Sequence, residues 1–211
     1  MQEKNKNEEG RYSLKGSCLW GILLFAFLIL VDQFTKIAAE LYFTGEGAPA
    51  SVDILPGWLS LRLVYNRGIS YGLGSSAPPI AKIGVIAGTA ILMTLLAVFY
   101  FRMDKRRSFL RTACVFVVAG GVGNLVDRLY YRVWEAGGSL GVRDMVDLSR
   151  FGFAVCNFAD FFISAGAVMF VLAFLFLDRD AFFPVGKYKA LAKEAAEKQE
   201  AKKSEKEKSE R

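Results

Sequence analysis

Four long apolar stretches, separated by charged or alternating segments, dominate the order of hydrophobic and polar positions. The first runs from Cys18 to Val31 and continues past the polar pair Asp32–Gln33 to Ala39. The second, Ile83–Phe101, holds nineteen residues without a charge, and the third and fourth are Thr112–Val126 and Phe161–Leu177. About 20 residues are needed to cross roughly 30 Å of hydrocarbon. Three of the four uncharged runs reach that length only by taking in polar residues at one end. Between the first two stretches, Val52, Ile54, Leu59, Leu61, Leu63 and Tyr65 alternate with other residues around Pro56–Gly57. That period predicts a short β-hairpin. The pattern as a whole predicts an all-α integral membrane protein: four transmembrane helices with a small β-hairpin or sheet element on one side.

Composition sharpens the division of the chain. Apolar residues make up 53% and charged residues 23% of the 211 positions, and 15 of the 48 formal charges fall after Phe183. The body is therefore more apolar than the average. Three segments follow: an N-terminal tail over 1–17, a four-helix membrane unit over 18–177, and a charged tail over 178–211 that reads as a solvated helix. Lys and Arg mark orientation, since they accumulate on the cytoplasmic side. The two tails and the Arg102–Arg111 loop carry nineteen of them, against five in the loops 37–79 and 130–153. Both termini are thus expected in the cytoplasm and the hairpin on the outer side. No small-residue cleavage site follows the first span, so it reads as a permanent span rather than a removable leader. Gly84 and Gly88 form a GxxxG pair that points to close helix packing. The basic residues are interleaved with acids and lack aromatic neighbours, which argues against nucleic-acid binding.

Two counts exclude whole chemistries. With no histidine, the chain cannot build a Ser-His-Asp or Cys-His site or a His-ligated metal centre. Its three cysteines, Cys18, Cys114 and Cys156, are scattered and form no CxxC pair, so neither a disulfide framework nor a zinc site is expected.

The polar residues near the spans all fall at the outer membrane face. Asp32 and Lys36 close the first span, Asn124, Asp127 and Arg128 close the third, and Asn157 and Asp160 open the fourth. Asp144 and Asp147 lie in the loop that feeds it. Helical spacing puts Asp32 with Lys36, Asn124 with Asp127 and Arg128, and Asn157 with Asp160 on shared faces. Ionisable groups inside a membrane are costly unless paired or facing a wet cavity. Four groups at one depth therefore point to a site. Gly68–Gly72 matches the GxSxG nucleophile elbow, but no histidine is present to serve as base; a Ser70–Lys36 dyad remains formally open. The other chemistry is a pair of carboxylates sharing one proton, one activating water and the other acting as acid. It needs no metal or cofactor. A proton- or cation-coupled carrier is the rival class, and it would need acids along the whole membrane depth, which the inner halves of these spans lack. A non-catalytic scaffold would not need the grouping at all.

Five ordered motifs carry a family resemblance. Asp32-Gln33-Phe34-Thr35-Lys36, Asn66-Arg67-Gly68, Gly120–Arg128, Val142-Arg143-Asp144-Met145-Val146-Asp147 and Asn157-Phe158-Ala159-Asp160, set on four spans, resemble the motif set of lipoprotein signal peptidase, also called signal peptidase II. The resemblance covers about Cys18 to Leu177. It implies a monomeric intramembrane aspartic endopeptidase of the bacterial inner membrane, lying among membrane lipid. Such an enzyme removes the signal peptide from diacylglyceryl-modified prolipoproteins, cutting before the lipidated cysteine at the periplasmic face. On these positions it makes Asp144 and Asp160 the catalytic pair, with Asp147 as rival for the first place. It gives Asn66, Asn124, Arg128 and Asn157 the work of orienting dyad and substrate. Asp32 and Lys36 would hold the site, with Gly68 and Gly121 among the supporting positions. Asp127 would be a buried structural partner whose nearby countercharge is Arg128. The family's Val-Val-Asp-Met-Ile-Asp reads Val-Arg-Asp-Met-Val-Asp here. Cys156 stands where Phe or a Thr-like residue is expected, and the Asp127–Asp144 loop is longer than in the family pattern.

Overall fold

The computed structural model describes residues 2–68, 74–105, 107–135, 140–178, 180–186, 188–190, 192–193, 196–197 and 199–200, at backbone level only over 2–17. Four helices form the body: α1 (Gln2–Phe43), α2 (Pro79–Arg102), α3 (Ser108–Tyr130) and α4 (Phe158–Leu175). Within them, Cys18–Phe43, Pro79–Arg102, Ser108–Tyr130 and Phe158–Leu175 are long and apolar enough to span a bilayer. The first span outruns its uncharged run at its outer end, α2 and α3 extend past theirs at both ends, and α4 starts at Phe158 but stops at Leu175. The segment called a hairpin grows into a sheet of four antiparallel strands in the order β1 (Val52–Leu55), β2 (Leu59–Asn66), β3 (Val142–Asp147) and β4 (Val155–Cys156).

Helix α3 is central and packs against α1, α2 and α4. Small residues let it do so. A Cβ on Gly120 would lie 2.3 Å from the Ala159 carbonyl, and one on Gly166 2.6 Å from Val117. A Cβ on Gly123 would strike Asp32 at 2.4 Å, and one on Gly121 the Met93 sulfur at 2.2 Å. Close approach of this kind is how spans associate when lipid is as apolar as the side chains. The GxxxG pair of α2 does not contribute: nothing lies within 4 Å of a Cβ at Gly84 or Gly88. That expectation is corrected, because both glycines look away from the bundle. The outer faces of the helices carry Trp20, Phe27, Leu30, Phe34, Ile80 and Phe174, all exposed. Such a surface suits hydrocarbon.

Sequence pattern explains which strands were legible. Strand β2 is half-buried along its length, whereas all six residues of β3 are buried, so apolar and polar positions do not alternate there. Strand β4 is two residues long. Pairing sets Val64 opposite Asp144, Tyr65 opposite Arg143 and Asn66 opposite Val142. The sheet is thereby tied to the helix ends that hold the polar residues.

At the opposite end, Leu28, Tyr100, Met103, Leu110, Cys114, Val115 and Ala173 form an apolar cluster. The chain after α4 does not leave at once as a solvated tail. Phe182, Phe183 and Val185 donate their N–H groups back to the carbonyls of Phe174, Leu175 and Phe176. Arg107 in the α2–α3 loop bridges Asp178 at 2.7 Å and also Asp180. The orphan carbonyls at the end of α4 are thus satisfied by residues assigned to the tail. Residues 201–211 and Ser70 lie outside the described residues.

Candidate active site

Asn157 organises the site because it is a helix cap. Its extended backbone (φ −131°, ψ 178°) precedes α4, and its side-chain oxygen accepts the Asp160 N–H at 3.1 Å. In return Asp160 Oδ2 accepts the Asn157 N–H at 3.1 Å, which completes a capping box. The Asn157 amide nitrogen is then free to donate to Asp144 Oδ1 at 2.6 Å and to Asn124 Oδ1 at 3.1 Å. Local capping chemistry thus places Asp160 and ties it to Asp144 on β3.

Two further asparagines complete the frame. Asn124 on α3 donates to Asp160 Oδ1 at 2.9 Å, and Asn66, the last residue of β2, donates to Asp144 Oδ2 at 3.2 Å. The Asn124 amide is fixed in that sense because Lys36 donates to its oxygen at 2.9 Å. Lys36 is fully buried and held by Asp32 one turn earlier, also at 2.9 Å. The other Asp32 oxygen accepts the Ala159 N–H at 2.9 Å, an orphan donor in the first turn of α4. Every buried charge here has a partner, which is what a low-dielectric site requires.

Asp127 is fully buried, as expected, but Arg128 is not its partner. Residues i and i+1 do not face each other on a helix. Instead Arg143 binds Asp127 through Nη2 at 2.7 Å, Nε at 3.3 Å and its backbone N–H at 2.9 Å. Arg128 turns the other way and donates to the carbonyls of Gly68 at 3.3 Å and Asn124 at 3.4 Å. Arg143 also reaches Glu40 Oε2 at 3.0 Å and Gln33 Oε1 at 3.3 Å. Glu40 in turn accepts from Tyr65 at 2.5 Å and Tyr131 at 2.6 Å. Gln33, Glu40, Tyr65, Tyr131 and Arg143 were given no role from sequence. One signal was available, since Asp32, Gln33, Lys36 and Glu40 share one face of α1.

A cavity of about 760 Å³ opens onto Asp144 and Asp160, with Asn66, Asn124, Arg128 and Cys156 also on its wall. Gly121 belongs to that wall as well, where its missing side chain leaves room for Met93. Burial and the charge of Asp160 push the Asp144 carboxyl up to about 7, against the bonds from Asn157 and Asn66 and the charge of Lys36. Cys156, on β4, is pushed up to about 12 by burial and by Asp160 and Asp144. Asp147 has a different environment. Burial works against its charge, but bonds from Ser149 and the charge of Arg62 hold it below the ordinary range. It pairs with Arg62 at 2.8 Å and does not line the cavity.

Comparison with known proteins now decides the family. Residues 24–176 match the family model described as signal peptidase (SPase) II. The chain belongs to the signal peptidase II family. It is 31% identical over 167 residues to a lipoprotein signal peptidase of Fusobacterium nucleatum, covering 78% of this chain and 91% of that one. A lipoprotein signal peptidase of Bifidobacterium adolescentis is 35% identical over 148 residues, 70% of this chain and 72% of the relative. A solved bacterial membrane enzyme superposes with a TM-score of 0.59 at 25% identity, over 74% of this chain and 92% of its own. As a member of that family the protein is a peptidase with several membrane-spanning helices. Every position that the motif resemblance nominated, apart from Asp147, falls in or against the polar cluster just described.

Proposed function

We propose that this signal peptidase II family member is an intramembrane aspartic endopeptidase acting on diacylglyceryl-modified prolipoproteins, with Asp144 and Asp160 as its catalytic pair. One observation carries the reading: two carboxylates from different elements, each held by asparagine amides, face a single cavity at one end of the bundle. Asp144, pushed up to about 7, keeps the shared proton near neutral pH. Asp160 is then the base. Water attacks the scissile carbonyl carbon while Asp160 takes its proton and Asp144 donates to the carbonyl oxygen, giving a gem-diol. Proton return from Asp160 to the amine nitrogen, with Asp144 recovering its own from the diol, breaks the C–N bond. The products are the free signal peptide and a lipidated cysteine with a new amino terminus. Arg128, on the cavity wall, is suited to hold a substrate carbonyl.

The same reading sets the enzyme as a monomer in the bacterial inner membrane. Residues 1–17 and the tail lie in the cytoplasm, and the sheet end is periplasmic, as the Lys and Arg distribution supports. Residues 18–177 are the peptidase unit. The test is cleavage of a diacylglyceryl-modified prolipoprotein by purified enzyme in excess EDTA. Asp144→Asn, Asp160→Asn and the double variant should each lose about 10²–10⁴-fold, the usual worth of a general acid or base. The losses should not add, since either change stops the same proton transfer. Activity in both single variants, or loss in EDTA that added metal restores, overturns the reading.

A further inference from the structure

Arg143 occupies the position immediately before Asp144, and the strand sends the two side chains to opposite faces. Asp144 looks into the cavity. Arg143 looks into the helices, is 5% exposed, and ends among charged groups from every element packed against it. Helix α3 contributes Asp127, and the residue that caps its end, Tyr131, has its ring centre 5.4 Å from the guanidinium carbon. Helix α1 contributes Glu40 and the neutral Gln33, and β2 contributes Tyr65 through its bond to Glu40. Three donors of Arg143 fall on the one Asp127 carboxylate, and one of them is its backbone N–H, on the residue before Asp144.

The consequence lies in what Asp127 leaves to Lys36. Lys36 sits 3.7 Å from Asp127, beyond hydrogen-bond reach, and gives its bonds to Asp32 and Asn124. Asn124 is one turn before Asp127 on α3, and its amide holds Asp160. Remove the Arg143 guanidinium and Asp127 is left with Lys36 as its nearest cation, so Lys36 is drawn off Asn124. The strand carrying one carboxylate then keeps only the residue-143 backbone N–H as its clamp to the helix that holds the other.

We propose that Arg143 is a positioning residue: by saturating Asp127 it fixes the strand of Asp144 against α3 and keeps Lys36 on Asn124, and so sets the separation of the Asp144 and Asp160 carboxylates. The inference rests on those two residues being the catalytic pair. It reaches the chemistry only through them, and Arg143 touches no substrate.

Arg143→Lys is the decisive variant, because it keeps the charge and the fold but cannot make a two-pronged bond to a carboxylate. Arg143→Gln removes the charge. Both are assayed on diacylglyceryl-modified prolipoprotein, with kcat and KM measured per folded molecule across pH 5–9. Misplacement of a reacting group by about 1 Å can cost roughly 10²-fold. Arg143→Gln should therefore lose about 10–100-fold in kcat with KM little changed, and Arg143→Lys should recover part of that loss. The pH profile should move in both, because the proton shared by the pair depends on their spacing. The titratable and polar groups facing Asp144 keep their identity in every variant: Asn66 from β2, Asn124 and Arg128 from α3, Asn157 and Asp160 from the start of α4, Lys36 from α1, and Cys156 from β4. Normal kcat and an unmoved pH profile in folded Arg143→Gln overturn the inference, as does a rise in KM at constant kcat. An Asp144→Asn enzyme that still cleaves would instead sink the catalytic assignment, so the two failures are distinguishable.

Discussion

The two ends of the bundle are built on opposite principles. At the sheet end, Asp32, Lys36, Asn124, Asp127, Arg143 and Asn157 are buried and bonded to one another across α1, α3, α4 and β3. At the far end, the core is Leu28, Tyr100, Met103, Leu110, Cys114 and their neighbours. Among the described residues there, Arg111 lies over the Tyr100 ring at 4.2 Å and donates to the Met103 carbonyl, while Asp178 is held by Arg107. Shape holds the far end, and many apolar sets of similar volume would fill it. The sheet end tolerates far less, because a partly satisfied buried network is worse than an apolar core.

The largest effects that test this contrast come from titrating the pair. Activity should fall as pH rises through about 7, where Asp144 gives up its proton, by up to tenfold per pH unit once the limb is developed. Stability follows the same group. Its folded pKa lies above the ordinary 3.8, so its contribution is full below that value and is lost as pH rises through about 7. The Asp144→Asn variant should therefore resist heating better than the parent at pH 8, with the advantage fading towards pH 4. Melting curves of both proteins at the two pH values check the sign, and a difference between variant and parent that does not change with pH contradicts it.

Next in size is the loss of a buried ion. Asp127→Asn leaves Arg143 without its main countercharge, a change worth about 3–5 kcal/mol. At the far end, Arg107→Gln removes a partly exposed pair and should cost about 1 kcal/mol or less. Thermal unfolding in one detergent ranks the two. Equal losses would mean that the network at the sheet end is no more demanding than an ordinary ion pair.

Packing comes third. Gly123→Val forces a side chain onto Asp32 and should destabilise by about 1–3 kcal/mol. Gly88→Val meets open space and should stay within about 0.5 kcal/mol. This pair also shows where sequence reading reached its limit. The GxxxG spacing named α2, yet the glycines that matter, Gly120, Gly121, Gly123 and Gly166, follow no such spacing across one helix. Spans, the hairpin and the polar residues at one depth were legible because hydropathy and helical period report them directly. Half the sheet was not, because β3 is buried on both faces and has no alternation to read. Arg143 was passed over because it looks like a solvated loop cation until tertiary packing places it on Asp127. Neighbouring helix residues do not face each other, so Asp127 takes its hydrogen bonds from Arg143 and leaves Arg128 as a nearby charge without a direct bond.

The smallest expected effect belongs to Asp147, and it separates the two candidate positions in β3. Asp144 and Asp147 are three residues apart, so the pleat sends them to opposite sides of the strand. Asp147 pairs with Arg62, which is 42% exposed, and accepts the Ser149 N–H at 2.9 Å. An ion pair that open to solvent is worth about 0–1 kcal/mol. Asp147→Asn keeps the shape and one acceptor, so both the cleavage rate and the stability should stay within that range, about fivefold in rate at most. Arg62→Gln should behave alike, and the double variant should cost no more than either change, because both remove the same pair. The measurement is cleavage rate per folded molecule for Asp144→Asn and Asp147→Asn side by side. A dead Asp147 variant beside a working Asp144 variant would move the first carboxylate three residues along the strand, onto the face that looks away from Asp160.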